Sequence, residues 1–132
     1  MSASNIARWD GTTWSALGTG MNGGVAALTM LPNGDLVASG LFTTAGGVSA
    51  NYIASWSDPT WSPLGAGTNG GVFSLTVLPN GDIVAGGHFS SAGGASAQNI
   101  ARSNGANWSA LGTGMNGDVR ALTTLPRPRG LR

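Results

Sequence analysis

Apolar and polar positions along the chain fall into short extended runs broken by glycine, proline and asparagine. Val25 to Leu31 is apolar on both faces of an extended segment. "PNG" at Pro32 to Gly34 then supplies an Asn-Gly turn of the kind that closes a tight hairpin into Asp35 to Phe42. After the loop "TTAGGVSA" (Thr43 to Ala50) come "NYIASWS" (Asn51 to Ser57), the turn "DPT" and "WSPLG" (Trp61 to Gly65). The same set recurs at Val72 to Leu78, Asp82 to Phe89, Asn99 to Ser103 and Trp108 to Gly112. Strong helix formers other than Ala and Leu are nearly missing, so helices would form against propensity. The pattern predicts strands, four to a set.

These sets are copies of one unit. Trp14, Trp61 and Trp108 stand 47 residues apart, as do Ile6, Ile53 and Ile100, then Leu17, Leu64 and Leu111, then Pro32, Pro79 and Pro126. The register never slips. Residues 5–50 match residues 52–97 at most positions. Strands apolar on both faces must be covered on both sides, and four-stranded sheets stacked around an axis meet that need. The expected fold is therefore all-β: four-stranded antiparallel propeller blades with a 47-residue repeat, in an incomplete, open propeller.

The unit divides the chain into the last two strands of a blade with its connection (1–24), two complete blades (25–71 and 72–118), the first strand of another (119–125) and a basic non-repeat tail (126–132). Where the repeat calls for "LPNGDLVAGG" the chain reads "LPRPRGLR", whose prolines remove ladder donors. A propeller closes with about four to eight blades, so fewer than three leave apolar faces and strand edges open. Two readings follow: a piece of a longer repeat protein, or a small unit that builds a ring from several chains. The expected partners are other blades of the same or neighbouring chains. In self-association, Val119 to Leu125 of one chain would lie beside Ile6 to Asp10 and Trp14 to Leu17 of the next.

One stretch suggests a different chemistry. "LGTGMNGG" (Leu17 to Gly24) contains Gly18-x-Gly20-x-x-Gly23, the fingerprint of a dinucleotide-binding turn. It recurs as "LGAGTNGG" and "LGTGMNGD", and each copy precedes a strand-like run, with no helix N-terminus to receive a phosphate. The stretch reads as a connection between blades, and no cofactor is expected.

Across these residues the chain resembles the kelch-like and galactose-oxidase-like propeller repeats of large secreted or surface-attached proteins. The resemblance rests on "NIARWDGTTWSALGTGMNGGV" and "LPNGDLVASGLFTTAGGVSA" and runs from Asn5 to Pro126. It implies a propeller and an extracellular or surface setting. Such repeats serve as binding surfaces, surface modules and occasionally enzymes, so the resemblance implies no single activity.

Composition narrows the chemistry further. The 132 residues carry a net charge of +1 and no cysteine, so there is neither a disulfide nor a thiolate metal site. Arg127, Arg129 and Arg132 crowd the tail while Arg8, Arg102 and Arg120 are scattered, which argues against a nucleic-acid face. No apolar run is long enough to span a membrane, and "MSASNIARW" lacks the basic and apolar regions of a signal peptide. "NWS" at Asn107 to Ser109 is a weak glycosylation match, since it sits at a strand start.

His88, the single histidine, takes the place of Leu41 and lacks a ligating or catalytic partner in reach, with Asp82 roughly 20 Å along the same strand. It reads as a strand-end residue, not as a metal ligand. Asp35 and Asp82 each follow an Asn-Gly turn, where a carboxylate accepts turn amides. Glycosidase chemistry needs two converging carboxylates and a copper oxidase several His and Tyr, so no catalytic residue is expected. Trp14, Trp61 and Trp108 suit a core between blades, while Trp9 and Trp56 are less secure there because Ser103 replaces them in the third copy. The expected function is a non-catalytic structural or interaction module. The alternative is a glycan-binding surface with one shallow site per blade, built from Thr43, Thr44, Ser90 and Ser91 with Trp9 and Trp56.

Overall fold

The structure is a computed structural model that describes residues 5–120 and 122. Among them there is no helix. A hairpin of β1 (Ala7–Trp9) and β2 (Trp14–Ala16) comes first. Two antiparallel four-stranded meanders follow. The first holds β3 (Val25–Met30), β4 (Leu36–Gly40), β7 (Ile53–Ser57) and β8 (Thr60–Pro63). The second holds β9 (Val72–Val77), β10 (Ile83–Gly87), β13 (Ile100–Ser103) and β14 (Trp108–Ala110). The expected four-stranded units are present, and the hairpin and two sheets do not close a ring.

The connection expected as a loop at Thr43 to Ala50 holds a short hairpin of its own, β5 (Thr44–Ala45) with β6 (Val48–Ser49). Its counterpart is β11 (Ser91–Ala92) with β12 (Ala95–Ser96). Two-residue strands are too short for a period-two pattern to show in sequence. The expected strand at 119–125 lies outside the described residues except for Val119, Arg120 and Leu122, none of which is in a strand.

The turns differ in detail from expectation. Leu31 and Asp35 close a three-residue loop through Leu31 N–H to the Asp35 carbonyl and Gly34 N–H to the Leu31 carbonyl, with Gly34 at φ 91°. The side chain that caps the turn is Asn33, whose Oδ1 accepts the Asp35 amide at 2.9 Å, and Asn80 does the same for Asp82 at 3.0 Å. The backbone amides expected to go to the aspartates thus go to the asparagines, while Asp35 Oδ2 accepts only the Asn33 side-chain amide, at 3.3 Å. The turn bends the Asn carboxamide toward the amide two residues on, while the Asp82 carboxylate faces across the sheet and takes Arg102 Nε at 2.8 Å.

Packing repeats with the sequence. One face of the first sheet sets Leu36, Ala38, Ala54, Trp56 and Trp61 against Ile6, Leu17 and Met21 of the N-terminal segment. Its other face sets Val37 and Ile53 against Val72, Ile83, Ala85 and Ala101 of the second sheet. Each sheet is therefore covered by the unit before it. The hairpin has only two strands, so the β3 half of the first sheet is not covered: Leu28 and Met30 are exposed, whereas their repeat equivalents Leu75 and Val77 are half-buried.

Candidate functional site

Both sheets present the same end, where the connection from the previous unit crosses the short hairpin. In the connection Leu17 to Gly24, Gly18 and Gly20 take φ of 62° and 75°, which turn the chain back after β2. Gly46 N–H then donates to the Gly20 carbonyl at 2.7 Å, as Gly93 N–H does to Gly67. The glycines of the fingerprint thus shape a connection that leads directly into a strand, β3 or β9.

Asn22 and Asn69 hold this end together. Asn22 Oδ1 accepts the amides of Thr43 and Thr44 at 2.8 and 3.0 Å, and its Nδ2 donates to Thr43 Oγ1 at 2.8 Å. Asn69 does the same for the amides of Ser90 and Ser91 and for Ser90 Oγ, at 2.8, 3.1 and 2.9 Å. The four hydroxyl residues singled out as ligand candidates therefore sit on a clasp. Sequence reasoning missed the asparagines, although both recur at a fixed place in the connection.

The two tryptophan candidates separate. Trp9 is exposed and lies 5.2 Å from Trp14. Trp56 is buried against Trp61, also at 5.2 Å, so it offers no ring face to a ligand, which corrects the surface role expected of it. Ser103, which replaces it in the next unit, is buried too, so the position is interior in both.

His88 stands at the end of β10 on this same end and is not isolated. Its Nδ1 meets Asp118 Oδ1 at 2.5 Å, and Arg120 approaches the other carboxylate oxygen at 3.6 Å while lying over the Phe73 ring. Sequence reasoning measured His88 against Asp82 and missed Asp118, which occupies the place of Gly71. The available signal was a paired departure from the repeat, Leu41 to His88 together with Gly71 to Asp118. His88 with Asn69, Ser90, Gln98 and Asn99 lines an open cleft of about 300 Å³. Among the described residues no group of three or more His, Cys, Asp or Glu could hold a metal ion. Arg8 and Arg102 pair with Asp58 and Asp82.

A family model described as a β-propeller domain of unknown function (DUF5122) matches residues 78–109, from the β9–β10 turn into β14. No curated protein and no solved structure matches the chain. The match supports a β-propeller, and with it the reading of the four-stranded sheets as blades. Among the described residues no helix is long and apolar enough to cross a membrane.

Proposed function

We propose that the chain is a non-catalytic propeller module with a structural or interaction role, working with neighbouring blades at the cell surface or outside the cell, as its resemblance to kelch-like repeats implies. The observation that carries this reading is the repeated asparagine clasp. At the loop end, the hydroxyl residues Thr43 and Thr44 in one unit and Ser90 and Ser91 in the other are engaged in the same holding bonds. His88 and Asp118 meet at the surface, where a contact of this kind contributes on the order of 0–1 kcal/mol. A hydrolase and oxidase screen of the chain and of His88→Ala tests the non-catalytic reading. Equal background for both is expected, and an activity lost with His88→Ala would overturn it.

A glycan-binding reading keeps one favourable observation, the exposed Trp9 beside Trp14. Tryptophan fluorescence across a sugar panel, with a glycan array, decides it. A saturable change that Trp9→Ala abolishes would establish the lectin role, and a silent panel would remove it.

A further inference from the structure

Blade meets blade through one contact that occurs twice. Trp61 Nε1 donates to the Leu17 carbonyl at 2.8 Å and Trp108 Nε1 to the Leu64 carbonyl at 2.9 Å, each reaching back 44 residues. In both cases the carbonyl also takes a turn amide, from Gly20 or Gly67, so its two lone pairs are filled. The indole lies over the next glycine. A Cβ placed on Gly18 would sit 3.4 Å from Trp61 Cδ1, and one on Gly65 would sit 3.4 Å from Trp108 Cδ1. A tryptophan thus forms the knob, and a Leu-Gly connection the socket.

Each half of this contact also appears without its mate. Trp14, the repeat equivalent of Trp61, is 58% exposed against 5%, and its indole N–H has no acceptor among the described residues. The third connection repeats the socket. The Leu111 carbonyl accepts Gly114 N–H at 3.1 Å and receives no indole, and a Cβ on Gly112 would meet nothing within 4 Å among the described residues. Leu17 is 4% exposed and Leu111 37%; Met21 is 3% exposed and its equivalent Met115 50%. Apart from Leu41 and Val48, the exposed large apolar side chains lie toward these two ends, with Leu28 and Met30 on the same blade face as the row leading to Trp61.

We infer that Trp14 and the Leu111–Gly112 connection are the two halves of one joint, and that a second copy of this chain fills each, head to tail. The operation that carries the hairpin onto the first blade, and the first blade onto the second, carries the second blade onto the hairpin of the next copy. Any unit of this repeat fits the joint, and a second copy of the 132-residue chain supplies one, since knob and socket already fit each other twice here. A heterologous contact of this kind closes into a ring if the rotation allows and otherwise runs on as a filament. The inference deepens the structural role proposed above, and a sugar found on an array would leave it standing.

Complementation tests it on the 132-residue chain. Trp14→Ala keeps the socket and loses the knob; Leu111→Asp keeps the knob and places a charge in the socket. Both sites are exposed, and circular dichroism confirms that each variant keeps its β signal. In analytical ultracentrifugation the unaltered chain should associate with rising concentration, each variant alone should stay monomeric, and an equimolar mixture should give a heterodimer held by its single intact joint. A chain that stays monomeric throughout, variants that associate as the parent does, or a mixture that fails to pair would each overturn it.

Discussion

Ser39 is fully buried on β4, and its hydroxyl has no hydrogen-bond partner among the described residues. A buried hydroxyl left unpaired costs roughly 1–3 kcal/mol relative to its hydrated state, so removing it is favourable if the volume is kept. Ser39→Ala should therefore raise stability by about 1 kcal/mol, read as a higher denaturant midpoint with an unchanged slope. Asp10 behaves in the opposite sense. The backbone amides of Thr13 and Thr12, each donating at 2.8 Å, hold its carboxyl below its ordinary value of 3.8. Because its pKa in the fold is depressed, the stabilisation it gives the β1–β2 turn is present above pH 3.8 and lost as pH falls through the lower folded value. Exchange of the Thr12 and Thr13 amides should rise across that acid range, and in Asp10→Asn the step should disappear. Residues are also where sequence reasoning was weakest. His88 and Asp118 are 30 apart, and a strand-rise argument sees only partners on one strand. Trp56 read as a surface candidate because serine replaces it in the next unit, yet both positions are interior, and a repeat comparison does not distinguish a tolerated change of volume from exposure.

At the scale of elements, the long strands and the places of the turns between them were legible because their signals are local: a run of apolar residues, then Pro-Asn-Gly at a fixed place. The clasp was not, because an asparagine that bonds amides 21 and 22 residues away carries no mark in its neighbourhood. Its removal is informative. Asn69→Ala strips acceptors from the amides of Ser90 and Ser91 and a donor from Ser90 Oγ, all at an exposed site, and should cost about 1–2 kcal/mol. Hydrogen exchange at those two amides should speed up while the β10 and β13 ladder keeps its protection. If the ladder loosens as well, the short hairpin is part of the blade's cooperative unit.

For the whole molecule, the 47-residue period led correctly to stacked four-stranded sheets, because burial on both faces admits few other arrangements. The uneven cover of the first sheet could not be read from the period, since β3 and β9 have similar apolar patterns and differ in what lies over them. Leu28 and Met30 are exposed for that reason, whereas Trp14 is exposed because no sheet covers its side of the hairpin among the described residues. The head-to-tail pairing proposed above, which buries Trp14 in the socket of a second copy, would link stability to concentration. Thermal unfolding of the parent chain should move to higher temperature as protein concentration rises, while unfolding of Trp14→Ala should not.

The joint from each indole to a carbonyl 44 residues earlier also bears on how such a chain can change over generations. Inserting one further copy of residues 25–71 adds one connection, one clasp and one joint, and leaves every existing distance as it was. Losing a single residue between Leu64 and Trp108 shifts the indole off its carbonyl and turns the apolar row of one strand to its other face. Tandem duplication is therefore close to neutral for this architecture and small deletions are not, so the length of such a gene drifts in steps of whole repeats.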